Sequence, residues 1–330
     1  MARPPLVRAG LFVLGRSCAR LAVTFDHLIA DGNGVSIFMR ELLEAYHATT
    51  AGRPPAPAPL RVQFADFVLW QRANVTEEVL RRQLEWWARA LEGMPLGPAV
   101  PFDHLPAEPS RRIASYPVAV APAARAGIEE LARATSSTPF VVVLAGVQAV
   151  LARASGSTDI VLSTTLSGRN RAELEGLVGT FSGIGRLRTD LAGDPPFVDV
   201  VARARDFVVG LYENQDIPFM RVRRVLLPDF PAGGVELAAA LPIELAYFPT
   251  DGHDPELFFR GQLHPLSITL LDDGSRIWGT LSYKVDFYEA ATIERLACDI
   301  EAMLDGIADV ASLPLSKLPV SRREPAPPRP

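Results

Sequence analysis

Three titratable side chains crowd the stretch VTFDHLIADGNGVSIF, Val23 to Phe38: Asp26, His27 and Asp31. An imidazole or carboxylate among apolar neighbours is costly unless a partner satisfies it or a reaction uses it. Imidazole suits proton transfer near neutral pH, so His27 is the candidate base, delivered to a cleft by the end of a strand. Asp31 has two readings. It caps the free N–H groups of a following helix, or a cationic partner fixes it in the turn and leaves the imidazole free. The plain alternative for His27 is a core histidine satisfied by backbone groups.

Other chemistries fit these residues poorly. His27 and Asp31 would make two metal ligands, with His104 or His253 as a third, but no zinc-like spacing accompanies them, and no metal is expected. Gly32-Asn33-Gly34 sits where a dinucleotide loop would lie, yet Ile37 holds the place of its third glycine. The glycines are expected instead to allow a tight turn and a close approach. There is no G-x-S-x-G elbow and no P-loop, so a serine hydrolase or a phosphoryl-transfer enzyme lacks its nucleophile or its phosphate cradle.

The elements that must hold the turn follow from hydrophobic period. LVRAGLFVLG and CARLAVTFDH predict two strands joined around Gly15-Arg16-Ser17. Phe38, Leu42, Ala45 and Tyr46 recur at helical spacing, which predicts an amphipathic helix from Val35 to His47. Helices are also predicted over VQFADFVLWQRA, from Glu77 to Leu91, over VAPAARAGIEELARAT, over PFVDVVARARDFVVGLYEN and over EAATIERLACDIEAMLDGI. PFVVVLAGVQAVLA, Pro139 to Ala152, is a buried core helix, too short to span a bilayer. DIVLSTTL is rich in strand formers, and HPLSITLLDD with RIWGTLSYKVDF predicts a hairpin across Asp272-Asp273-Gly274. The Pro- and Gly-dense GMPLGPAVPFDHLPAEPSRR is the candidate boundary between lobes. The expected organisation is a partial N-terminal lobe over residues 1–115, a C-terminal lobe over 116–318 and a disordered tail over 319–330.

Composition narrows the partners. A net charge of −5 over 330 residues offers no basic surplus for nucleic acid. The start MARPPLVRAGLFVLGR imitates a signal peptide, but Arg16 and Arg20 interrupt it and no clean cleavage site follows. No membrane anchor is expected, and a cytoplasmic location follows. Cys18 and Cys298 are too few for a disulfide framework and are expected as free thiols.

DHLIADG resembles the HHxxxDG motif of nonribosomal peptide synthetase condensation domains, of the chloramphenicol acetyltransferase-like superfamily. VQFADFVLWQR, QLEWWARALEG, PFDH, DIVLSTTLSGRNRAELEGLVGTF, ENQDIPF and GTLSYKVDFYEAATIERL resemble further signatures of that family, in the right order. The resemblance implies an α/β, two-lobed sandwich with a tunnel between its lobes. It implies amide formation between an acyl thioester on a carrier protein and an amine acceptor. His27 would be the catalytic group, a base or a group that positions the amine. Asp31 would be a structural ion-pair member, with Arg169 or Arg171 of SGRNR as its partner and with Asp26 and Gly32 structural at the site. The chain would hold no cofactor of its own, because the phosphopantetheine arm belongs to the acyl or peptidyl carrier protein.

Three departures stand out. Asp26 occupies the place of the motif's first His, as in heterocyclisation relatives, although His27 is kept and Gly34 replaces their serine. The usual F-x-N-T-x-P-x-R reads Phe181-Ser182-Gly183-Ile184-Gly185-Arg186-Leu187-Arg188, without the polar pair. The family also has a further stretch before the first strand seen here, so the first lobe is expected to be incomplete and N-terminally truncated, with a separate chain as a candidate partner to supply the missing part. Two other readings stand beside amide formation: an ester-forming acyltransferase of the same superfamily, and a non-catalytic docking module or degenerate remnant.

Overall fold

The structure, a computed structural model, describes residues 4–250 and 263–319. The tail after 319 and His253 lie outside the described residues. The chain forms two compact units, Met1–Leu80 with Leu166–Gly183, and Arg81–Thr165 with Ile184–Pro330.

The first unit opens with β1 (Val7–Val13) and β2 (Ala19–Phe25), an antiparallel pair in the register Val7↔Phe25 to Val13↔Ala19. The Leu14 amide donates to the Cys18 carbonyl across the turn, at 2.9 Å. Leu11, Phe12, Val13 and Leu21 remain exposed, so this ribbon buries little apolar surface, and two strands alone are marginal in water. Helix α1 (Gly32–Thr50) follows the Asp26–Asp31 turn, and α2 (Phe64–Asn74) starts on a capping box in which the Asp66 carboxylate accepts from the Gln63 amide at 2.8 Å. Its core gathers Leu174, Leu177 and Phe181 against Val62, Phe64 and Phe67. The Phe64 and Phe67 rings lie 4.9 and 5.0 Å from the Phe181 ring.

The chain passes into the second unit within α3 (Glu77–Ala90). That unit is built on a six-stranded sheet of β3 (Ile113–Val120), β4 (Asp159–Leu166), β5 (Gly183–Asp190), β6 (Ile243–Pro249), β7 (Leu266–Asp272) and β8 (Ile277–Lys284), in the order β3-β8-β7-β6-β4-β5. β3, β8 and β7 pair antiparallel, whereas β7, β6 and β4 run parallel. Helices α4 (Pro122–Ala134), α5 (Pro139–Ser155) and α6 (Phe197–Glu213) precede two short helices, α7 (Phe219–Leu226) and α8 (Gly234–Ala240), and α9 (Ala290–Asp305). In α5, Thr138 caps the start, Pro139 opens the first turn, and Gly156 ends the helix at φ 74°. Every residue from Val141 to Leu151 is buried, so α5 is the core helix of this unit. Among the described residues no single helix is long and apolar enough to cross a membrane.

The strands β3, β5 and β6 and the helices α7 and α8 go beyond the elements expected from the sequence, although Phe219, Val222 and Leu226 of α7 do recur at helical spacing. The Pro- and Gly-dense stretch, residues 93–112, runs within the second unit.

Candidate functional site

The turn between β2 and α1 is held from three sides, all by residues of the first unit. At the strand end the Asp26 amide donates to the Leu6 carbonyl at 2.9 Å, and Asp26 Oδ1 accepts from the Leu28 amide at 3.0 Å. That local Asx turn releases the chain from the strand direction. Next, the His27 carbonyl accepts from the Thr180 hydroxyl. The backbone at His27 is thus tied while its residue stays exposed to solvent.

Asp31 supplies the third hold, and it is 2% exposed. Its side chain caps α1 by accepting from the Gly34 amide at 2.8 Å. It also accepts from the Phe181 and Ser182 amides at 2.9 and 3.0 Å, and from Arg169 Nη1 and Nη2 at 2.8 and 2.9 Å. Both readings of Asp31 therefore hold at once: it is a helix cap and an ion-pair member. Burial pulls its pKa upward, but the Arg169 bonds and the backbone amides outweigh burial and hold the carboxyl below its ordinary range. Both carboxylate oxygens are fully engaged, which leaves no lone pair directed at a metal. Among the described residues no group of three metal-ligating side chains comes together.

Of the two candidate arginines, Arg169 is the partner of Asp31. Its side chain is 5% exposed and its guanidinium lies 4.4 Å from the centre of the Phe181 ring. Nη2 donates further to the Leu177 carbonyl at 3.2 Å, while Nε has no partner among the described residues. Arg171 goes elsewhere. Its guanidinium lies over the Trp70 ring at 4.1 Å, bracing α2 rather than the turn.

Glycine matters where two backbones meet. A β-carbon on Gly34 would lie 3.1 Å from the Gly179 carbonyl oxygen and 3.2 Å from its nitrogen. The Asp31 amide donates to that same Gly179 carbonyl at 3.1 Å. Gly168, at φ 64°, turns the segment so that Arg169 enters, and a side chain there would overlap the Phe181 carbonyl. Gly32 is the first residue of α1 and is only half-buried. Thr180, Phe181 and Ser182 also hold the turn, and residue type did not reveal them, since two of them act through backbone N–H groups.

The resulting device is an imidazole carried on a rigid turn and open to solvent, backed by a buried carboxylate that no longer needs to titrate. Such a turn can present a base to a substrate, or a shape to a partner.

Comparison with known proteins places this turn in a family. A linear gramicidin synthase of Brevibacillus parabrevis is 31% identical over 329 residues, which is 96% of this chain and 4% of that protein. The chain thus spans a small fraction of the curated relative it matches. The X-domain from teicoplanin biosynthesis superposes with a TM-score of 0.80 at 27% identity, over 96% of this chain and 75% of that one. The first condensation domain of the calcium-dependent antibiotic synthetase superposes with a TM-score of 0.75 at 21% identity, over 96% and 73%. These matches establish the mixed α/β fold of the chloramphenicol acetyltransferase-like superfamily. Residues 1–229 match the condensation domain family model, and with the DHLIADG turn built as described the chain belongs to the condensation domain family of nonribosomal peptide synthetases.

Proposed function

We propose that this chain is a condensation-type acyltransferase that forms an amide between a carrier-bound acyl thioester and an amine acceptor. The observation that carries this reading is the exposed His27 on a backbone fixed by Asp26, Thr180 and Asp31. The amine nitrogen bonds to the thioester carbonyl carbon, the C–S bond breaks, and the pantetheine thiol leaves. His27 takes the proton from the nitrogen and returns it to the sulfur, so the imidazole ends as it began. The thiol belongs to the phosphopantetheine arm of the carrier, and the chain contributes no cofactor of its own. A cytoplasmic setting, where such carriers are charged, is part of the same proposal.

Alignment and proton transfer contribute unequally. Holding two reactants in line supplies about 7–11 kcal/mol, whereas a positioned base supplies roughly 10²–10⁴-fold. His27→Ala is therefore expected to lower turnover by roughly 10²–10⁴-fold, with carrier binding and thermal unfolding unchanged. Unchanged turnover would refute the base. Loss of turnover together with loss of carrier binding would assign His27 a folding role. Offering amine and hydroxyl acceptors side by side separates amide from ester formation.

A second reading has its own support. Asp26 stands where the motif has its first His, and the X-domain of teicoplanin biosynthesis, known in complex with OxyB, is a structural neighbour at 27% identity. On this reading the chain is a docking module: no acyl thioester turns over, and protein binding survives His27→Ala.

A further inference from the structure

A row of polar residues crosses one face of the six-stranded sheet. Ser163 on β4 stands opposite Glu244 on β6, Glu244 opposite Ser267 on β7, Ser267 opposite Ser282 on β8, and Ser282 opposite Ser115 on β3. Directly opposed residues share a face, so all five point to the same side. They bond along the row: Ser267 donates to Glu244 Oε2 at 2.8 Å, and the Ser115 and Ser282 hydroxyls lie 2.9 Å apart. The neighbouring positions Leu162, Ile243, Leu245, Ile268 and Leu281 point the other way and are buried. One side of the sheet is thus apolar core, and the other carries this polar row, with the apolar Phe248, Leu271 and Trp278 four residues further along the strands on the same side.

Arg186 on β5 ends this row. It is 4% exposed, Nη1 donates to Ser163 Oγ at 2.9 Å and to the Gly185 carbonyl at 3.3 Å, and the guanidinium lies 4.4 Å from the centre of the Phe219 ring. No carboxylate among the described residues lies within ion-pair distance of it. The buried guanidinium groups of Arg125 and Arg169 each have one, from Asp272 and Asp31. Nε and Nη2 of Arg186 have no hydrogen-bond partner among the described residues. Burial pushes the guanidinium pKa down to about 10, and Arg223 adds repulsion against partial relief from Glu244, so the group is charged at neutral pH. A buried, charged fork whose Nε and Nη2 donors lack a partner suits a planar anion.

We propose that Arg186 anchors a carboxylate-binding site at the end of this polar row, and that the substrate handled by the chain carries that carboxylate. The shared chemistry with a phosphate is the oxyanion. A guanidinium fork pairs with carboxylate and phosphate oxyanions alike, so the arms of the test tell the two apart. The inference deepens the condensation reading by naming a substrate class, and it rests on that reading for the word substrate alone.

The test titrates the full chain calorimetrically with succinate, with neutral succinamide, with inorganic phosphate and with 4′-phosphopantetheine. Succinate is expected to bind and succinamide not to bind. Arg186→Met should weaken succinate at least about tenfold, and Arg186→Lys, which keeps the charge without the fork, should fall between. Unliganded Arg186→Met should melt no lower than the wild type, because the arginine has no partner carboxylate to lose. Equal succinate binding by wild type and both variants overturns the proposal, as does no binding by the wild type. Binding of the phosphate compounds alone overturns the carboxylate. If Arg186→Met fails to fold, Arg186→Lys decides. Succinate binding that survives His27→Ala reads Arg186 independently of turnover, so a failed condensation assay and a failed site remain distinguishable.

Discussion

Asp31→Ala tests the clasp behind the His27 turn. The substitution removes five hydrogen bonds from a carboxylate that is 2% exposed and strands the Arg169 side chain, itself 5% exposed, without its counter-charge. Loss of a helix cap costs roughly 0.5–2 kcal/mol. Breaking a buried ion pair by removing one partner costs about 3–5 kcal/mol. The pair therefore sets the scale, and the cap adds a smaller share. The damage should be local to the first unit, because every group bonded to Asp31 lies there. Native-state hydrogen exchange reads this directly: peptides spanning 28–40 and 176–184 should lose about two to nearly four decades of protection, at 1.36 kcal/mol per decade. Peptides from α5 should keep theirs. The double variant Asp31→Ala/Arg169→Met should exchange more slowly than Asp31→Ala alone, since it removes the stranded charge. Protection within tenfold of wild type in both first-unit peptides would refute the clasp. A double variant worse than the single one would show that the guanidinium stabilises through Phe181 and the backbone carbonyls instead.

Other outcomes follow from the same geometry. The native pKa of Asp31 is depressed, so its contribution to stability is complete above its unfolded value near 4 and disappears as pH falls through the lower native value. First-unit protection should thus drop in acid for the wild type and stay flat for Asp31→Asn. Gly34→Ala should destabilise the first unit by about 1–3 kcal/mol, because its methyl presses on Gly179 backbone atoms that cannot rotate away; an unchanged denaturant midpoint would contradict the close approach. Arg171→Ala should cost no more than roughly 1 kcal/mol, the value of an exposed cation–π contact, and should blue-shift or quench Trp70 fluorescence only slightly. Leu11→Thr with Val13→Thr should raise solubility in light-scattering assays with no loss of melting temperature, because both side chains are exposed.

What the sequence made legible was whatever burial writes as a period. α5 reads as an unbroken buried run from Val141 to Leu151, and β7 with β8 read as alternation across an Asp-Gly turn. β5 was hidden because its buried positions include Arg186, which forms no ion pair among the described residues, beside Arg188, whose guanidinium pairs with Asp159 at 2.7 Å, so charge stands where period expects Val or Ile. β3 was hidden by Pro117, which an edge strand tolerates because the missing N–H faces away from its one neighbour. At the site, residue type pointed to His27 and Asp31. The Arg169 partner lies 138 positions from Asp31, so no local spacing reaches it, and the family resemblance supplied it as one of two candidates. The Phe181 and Ser182 donors leave no trace in residue type, since any residue except proline has the same amide; only the family resemblance drew attention to their stretch.

The clasp at Asp31 also dictates an order of events during synthesis. Residues 4–80 cannot be locked until Arg169, Phe181 and Ser182 have left the ribosome, and the chain first spends residues 81–165 on the other unit. At about 5–20 residues per second that interval is on the order of ten seconds. Throughout it Asp31 lacks its Arg169, Phe181 and Ser182 partners, so the turn that carries His27 stays unbraced until those residues appear.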